Sequence, residues 1–429
     1  MRHPRPRNRR RVLTTGLAAP LLFAHAAVSA PLAWRDSIEI AVGGGERGPW
    51  RQNESRYDFV DDPTVAIDDN GDVALAWVDQ ARKDVLFQRV SADGTRQGQP
   101  VNVSRSPATF SWLPRIVLGP RDPNKIRLLW QEIIFSGGSH GGDIVFARSD
   151  DGGKTFLVPL NLSRSVAGDG KGRITKNIWH NGSLDLAVGA DDTLYAVWTE
   201  YEGALWLSRS TDGGQSFSGP RRVAGDDARP ARAPSLALGA DGTVYLAWTI
   251  GEDDAADVRV ARSTDGGTTF AEPHIVARSR GYSDAPKLAV DPGGTLHLAY
   301  GEDRRVWYTR STDDARTFEA PRQISGADAG FPAVSVDASG ALYVLWELFG
   351  QHRSRPRGLA FTVSRDGGHT FRPAAAVPNS ADPAGGLNGS SQGLLMKKLA
   401  VNARGGVAIV NSSLKDGERS RVWLIRTRP

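Results

Sequence analysis

Acidic residues recur at one phase of this sequence. Asp79, Glu132, Glu200, Glu252, Glu302 and Glu347 each stand shortly after an apolar stretch that ends in an aromatic residue. A second set stands just before the next apolar stretch: Arg56-Tyr57, Trp112-Leu113-Pro114-Arg115, Trp179-His180-Asn181, Arg229 with Arg232, and Gly281-Tyr282-Ser283-Asp284. Carboxylates, arginines and aromatic rings together are the composition of sugar sites, because aromatic faces stack on pyranose rings and arginine forks grip carboxylates. Histidine offers separate chemistry. His140, in the loop Gly-Gly-Ser-His-Gly-Gly, and His180 fall in neighbouring units, and Tyr201 directly follows Glu200. Two histidines, a tyrosine and nearby arginines suit β-elimination from a uronic acid, in which arginine neutralises the carboxylate and His or Tyr moves protons. The plainer alternative is a solvated rim whose acids answer neighbouring arginines. No HxH or HExxH spacing points to a metal, and nothing in the sequence asks for a cofactor.

Residues so scattered need a scaffold that returns them to one face. The chain has 429 residues, with 48 glycines, 25 prolines and no cysteine. That length accommodates several domains or one large β architecture, and the glycine and proline content suits many tight turns. Without cysteine, disulfides and thiolate chemistry are excluded. The formal charge of +5 misleads, because residues 1–30 hold six arginines and no acid, leaving −1 for the rest. A near-neutral body argues against broad nucleic-acid or anionic-membrane binding.

The basic start, the apolar stretch Val12 to Phe23 and the small-residue run around Ala24-His25-Ala26 have the order of a secretory signal. About 12 apolar residues interrupted by Pro20 fall short of the roughly 20 that span a bilayer. Arg9-Arg10-Arg11-Val12-Leu13 resembles the bacterial twin-arginine export motif; an arginine-rich Sec signal is the alternative. The expected organisation is a leader over residues 1–26 and an exported, periplasmic or secreted body over residues 27–429.

The body is built from two alternating patterns. The first is a strand, an Asp/Gly/Asn-rich turn and a strand ending in an aromatic residue. It reads VAIDDNGDVALAW up to Trp77 and recurs up to Trp198, Trp248, Tyr300 and Trp346, with a looser copy at Trp130 and a last one at Asn411. Alternation around Asp-Gly-type turns predicts hairpins. The second pattern is an octapeptide, Ser-x-Asp-x-x-x-Thr/Ser-Phe, starting at Ser149, Ser210, Ser263, Ser311 and Ser364, with a degenerate copy at Ser91-Ala92-Asp93-Gly94. Its oxygens and glycines suit a turn between two further strands. Hairpin plus hairpin makes a four-stranded blade, and the periodic array predicts an all-β propeller. Seven blades are expected, or six if the Trp130 copy is an insertion. The seventh has only RVWLIR (Arg421 to Arg426) after its hairpin, so the strand SIEIAV (Ser37 to Val42) is expected to close the ring.

The octapeptides resemble the Asp-box, or BNR, repeat of the sialidase superfamily, over essentially the whole body. The resemblance implies a single propeller, with Asp151, Asp212, Asp265, Asp313 and Asp366 holding turns away from the active site. It also implies exo-sialidase-type glycoside hydrolysis, with three arginines on the sialic-acid carboxylate, a tyrosine nucleophile with a glutamate helper, and an Asp acid/base. Carried onto this chain, Tyr282 is the nucleophile, Glu252 or Glu302 its helper, Asp79 the acid, and Arg115 a carboxylate ligand. Pro114-Arg115-Ile116 and Arg56-Tyr57-Asp58-Phe59 only approximate the family's Arg-Ile-Pro motif. Similarity in architecture to seven-bladed polysaccharide lyases gives the competing assignment, with His140, His180 and Tyr201 converging on one pocket to do the proton work and Glu200 next to Tyr201 a further candidate catalytic residue. The expected partner is an extracellular acidic glycan or glycoconjugate. A non-catalytic propeller whose rim, including Arg56, Arg232 and Trp179, binds a glycan or a protein is the third reading.

Overall fold

The computed structural model describes Met1 and residues 32–133, 142–252, 256–276, 281–350, 355–389 and 396–428. From Trp34 onward the chain is a single all-β propeller of seven blades. Blade 1 runs outward through Val60–Ile67, Val73–Asp79, Asp84–Val90 and Arg96–Asn102, each strand antiparallel to the one before. Blades 2 to 6 repeat this order from the inner strands Ser111–Leu118, Leu184–Val188, Ala231–Leu238, Ser283–Val290 and Ala329–Val336. The Trp130 copy is a full member, because Ile126–Glu132 is the second strand of blade 2. The six-bladed alternative is therefore discarded.

The ring closes through the chain's two ends. Ile38–Gly43 pairs antiparallel with Arg419–Arg426, matching Ile38 to Leu424 and Val42 to Arg421. Ile40 thereby enters a buried cluster with Val60 and Trp77 of blade 1 and Val410 and Val422 of blade 7. Other clusters of the core likewise bridge neighbouring blades, so burial, the main favourable term, is distributed around the ring. The repeated Trp77, Trp130, Trp198, Trp248 and Trp346 are all essentially inaccessible.

Each octapeptide is one turn between the third and fourth strands of its blade. In blade 3, Ser210 Oγ donates to Asp212 Oδ1 (2.7 Å) and accepts from the Gly214 amide (2.8 Å). Asp212 also accepts from the Ser216 amide (3.0 Å) and hydroxyl (2.6 Å). Those hydrogen bonds, the Ser216 hydroxyl foremost, hold its carboxyl well below the usual range. The closing aromatic reaches into the preceding blade: Phe156 meets Phe87 at 5.2 Å between centroids, and Phe217 meets Phe146 at 4.8 Å. Gly153 makes this approach possible, since a Cβ there would lie 2.1 Å from the Phe87 ring. In blade 5 the corresponding residue is Ala315, at φ 61°, packed where blade 4 presents the smaller Val260. Blade 7 has no octapeptide, and Trp34 takes the aromatic's place on Phe361 at 5.8 Å.

The inner strands of five blades share a feature that positions the rim. Asp62, Leu113, Ala233, Ala285 and Phe331 all have φ between 49° and 60°, and each precedes a proline. The pairing register slips at every one of these positions. These are β-bulges, and a proline in the bulge removes an N–H that the interrupted ladder would leave unpaired. Left-handed backbone at a non-glycine residue stores strain, here repeated around one face.

Candidate functional site

The face opposite the octapeptides carries the bulges, the blade-to-blade connections and a hairpin inserted between blades 2 and 3. That hairpin pairs Lys171–Thr175 with Ile178–Asn181, setting His180 opposite Gly172. Gly172 is pressed against blade 4: a Cβ there would lie 2.5 Å from Arg232 Cβ. Arg173 fixes the hairpin by pairing with Glu252 and donating from Nη1 to Asp227 Oδ1 (2.6 Å). His180, predicted on a loop, thus stands on a strand held over the start of blade 4.

Around that point three predicted residues, His180, Arg232 and Tyr282, meet a fourth, Asp284. The Arg232 guanidinium lies 4.8 Å from the centroid of the Tyr282 ring, and Nε is 3.4 Å from Asp284 Oδ1. Nη1 donates to the Gly251 carbonyl. The Arg232 side chain is 2% exposed, and Nη2 has no hydrogen-bond partner among the described residues. Tyr282 Oη lies 3.4 Å from Asp284 Oδ2, a long contact. Asp284 also accepts from Thr249 Oγ1 (2.9 Å) and the Ala285 amide (2.7 Å). Burial opposes its ionisation, but Arg232, these donors and the nearby His180 outweigh it and keep the carboxyl below its ordinary range. Burial and the Asp284 carboxylate push the Tyr282 phenol up, so it remains a proton donor across the neutral range. By sequence alone Asp284 stands out only as a neighbour of Tyr282. Its place two residues after Tyr282, at the start of the extended inner strand Ser283–Val290, is the signal for its role.

Trp179 and Tyr201 form an edge-to-face pair at 5.8 Å beside this group. Lys171 Nζ sits 4.9 Å over the Trp179 ring, and burial pulls its ammonium down to about 8. Tyr201 Oη donates to the Lys176 carbonyl (2.8 Å). Both aromatic side chains are half-buried.

The remaining predicted residues are placed elsewhere. Glu302 accepts from Ser283 Oγ (2.6 Å) and Glu252 holds Arg173, so the acid beside the Tyr282 phenol is Asp284, not either glutamate. Glu200 accepts from Ser165 Oγ (3.0 Å), and Asp79 pairs with Arg82 at 3.4 Å in blade 1. Arg115 is buried and spends its fork on carbonyls: Leu113 and Pro114 at 3.2 Å from Nη1, and Gly182 at 3.0 Å from Nη2. Arg56 is exposed on the blade 1 side. His140 lies outside the described residues.

Below the rim the channel widens into a cavity of about 310 Å³, lined among others by Asp185, Ser235, Lys287 and Lys397. Thr64, Arg115, Asp185, Ser235, Lys287 and Ala333 occupy equivalent rungs of the inner strands. Burial, with Arg115 and Lys397 nearby, pulls Lys287 down to about 8 against the attraction of Asp185. No group of three or more potential metal ligands occurs among the described residues.

No protein-family model matches the chain. No curated protein matches it significantly. Solved structures do. A structure of polysaccharide lyase Uly1 superposes with a TM-score of 0.55 at 11% identity, covering 93% of this chain and all of that one. A polysaccharide lyase described as an ulvan lyase bound to -[GlcA(1-4)Rha3S]- gives 0.54 at 11% identity, covering 91% of this chain and 96% of its own. The BP39L lectin from Burkholderia pseudomallei also gives 0.54 at 11%, covering 84% of this chain and 98% of its own. At such identity the similarity is one of fold.

Proposed function

We propose that this protein is an exported polysaccharide-active propeller that cleaves a uronate-containing glycan by β-elimination at the junction of blades 4 and 5. The observation that carries the reading is the Arg232–Tyr282–Asp284 group with His180 held over it. Elimination removes the proton α to the uronate carboxylate, breaks the bond from C4 to the glycosidic oxygen, and forms a C4=C5 double bond. His180 accepts the C5 proton, and the Tyr282 phenol, kept protonated by its surroundings, donates to the departing oxygen. Arg232 and Lys287 supply positive charge against the carboxylate as its enolate-like character develops. Asp284 orients Tyr282 and balances Arg232. Trp179 and Tyr201 offer ring faces to a neighbouring sugar. Lyases and a lectin on this fold agree with a glycan ligand, though the residues above carry the chemistry.

Sialidase-type hydrolysis, implied by the octapeptide resemblance, is less well supported, because Arg115 is engaged with backbone carbonyls and, among the described residues, Arg232 is the arginine found over the Tyr282 ring. The test is incubation of the mature protein with a panel of ulvan, alginate, hyaluronan and a sialylated glycoprotein, read by mass spectrometry and ultraviolet absorbance. Unsaturated uronates that appear without added water support the elimination. Products that gain water would transfer Tyr282 to hydrolysis. Affinity without products would leave a binding propeller. Fractionation of the native host tests export: the mature chain is expected outside the cytoplasm.

A further inference from the structure

We infer that Trp50 and Tyr57 form a second sugar-stacking subsite on the same face, over blades 1 and 2, which grips a polysaccharide chain at a distance from the reacting bond. The inference rests on the proposed glycan activity and extends it to chain length.

The residues come from an excursion between the closing strand and blade 1. Its base is the short ribbon Glu46–Arg47 with Tyr57–Asp58. The excursion is pinned at its tip. The Arg51 amide donates to Ser55 Oγ (2.6 Å), Asn53 Oδ1 accepts from the Phe110 amide (2.9 Å), and Asn53 Nδ2 donates to the Ile133 carbonyl (2.9 Å). On this fixed loop Trp50 is 46% exposed. Its ring stacks on Tyr57 with centroids 6.4 Å apart and planes at 20°, and tilts against Trp112 at 5.2 Å. Phe110 and Trp112 beneath are buried.

An exposed tryptophan held on an ordered aromatic floor presents a fixed ring face to a ligand. The occupant is read from its surroundings. Arg51 and Arg56, next to the two aromatics in the chain, are exposed, as are Glu54 and Asp58, so the ring face is bordered by charged hydrogen-bonding groups of both signs and suits a pyranose, whose apolar face stacks while its polar groups find partners. Continuity with the reacting group runs through one inner strand. Trp112 belongs to Ser111–Leu118 with Arg115, whose Nη2 donates to Gly182 directly after the strand that bears His180. On this inference a polymer lying across the face engages both places, and a short oligosaccharide bound at the reacting group is expected not to depend on Trp50.

The experiment compares wild type, Trp50→Ala, Trp50→Phe and Tyr282→Phe in affinity electrophoresis through gels containing each polysaccharide of the panel. Tetrasaccharides from the same polymers serve as soluble competitors. The expected result is wild-type retardation that Trp50→Ala weakens about 3- to 10-fold, the size of one aromatic contact. Trp50→Phe should restore most of it, and tetrasaccharide affinity should be the same in all. Tyr282→Phe should be retarded like wild type. Unchanged polymer affinity in Trp50→Ala, or equal losses for polymer and tetrasaccharide, overturns the subsite while leaving the proposed function intact. A wild-type protein that no polymer retards overturns both.

Discussion

The Arg232 guanidinium sits 4.8 Å over the Tyr282 ring while its Nε lies 3.4 Å from Asp284. The phenol is therefore held between a cation on its face and a carboxylate at its edge, in surroundings that favour the protonated form. That state suits delivery of a proton to a departing oxygen.

Replacing Tyr282 by Phe removes the hydroxyl while leaving the ring for Arg232 to cover. Turnover of the susceptible polysaccharide is expected to fall by about 10²- to 10⁴-fold, with binding retained. Initial rates at saturating polymer, alongside affinity electrophoresis, check this; unchanged turnover would remove Tyr282 from the reaction.

Asp169 provides a pH dependence of stability. Burial, reinforced by Glu200 and Asp143, raises its carboxyl to about 7. In the unfolded chain it ionises near 4. Between these values the folded state holds the extra proton, so stability falls as pH rises through that window. Asp169→Asn, neutral throughout, is expected to unfold at a higher temperature than wild type near pH 8. The gain has an upper bound on the order of 3–4 kcal/mol. The two melting curves should converge near pH 4, and parallel Tm profiles across that range would contradict the account.

Ser210→Ala tests the octapeptide as a structural device. It removes the donor to Asp212 and leaves the buried Gly214 amide without its acceptor. The expected loss is about 1–3 kcal/mol in denaturant unfolding, with glycan affinity unaltered. A loss of affinity without a loss of stability would place the turn in function instead.

Ile40→Asp addresses ring closure. Ile40 is 4% exposed within the blade 7 to blade 1 cluster, and the substitution puts a carboxylate among the apolar side chains of that cluster. Stability is expected to drop by at least about 2–5 kcal/mol. Freeing the strand also bares the Arg419–Arg426 edge, so light scattering should report association on mild heating.

The hairpins, the five octapeptides, seven units and the closing strand were legible in the sequence because each is a local pattern. Alternation of apolar residues, Asp-Gly turns and a missing last strand all lie within a few residues of chain. The repeated bulges were equally present, in Asp62-Pro63, Leu113-Pro114, Ala233-Pro234, Ala285-Pro286 and Phe331-Pro332 at matched positions, but their left-handed backbone is visible only once the strands are paired. Tertiary structure alone decided the company of Tyr282. Asp284 rather than Glu252 or Glu302 lies beside it, since those glutamates face Arg173 and Ser283 across separations that no local spacing encodes. It likewise decided that Arg115 bonds carbonyls at the channel mouth and that a hairpin from between blades 2 and 3 carries His180 to blade 4. Strand patterns follow from neighbours along the chain, whereas a site on a propeller rim follows from which blades the closed ring brings together.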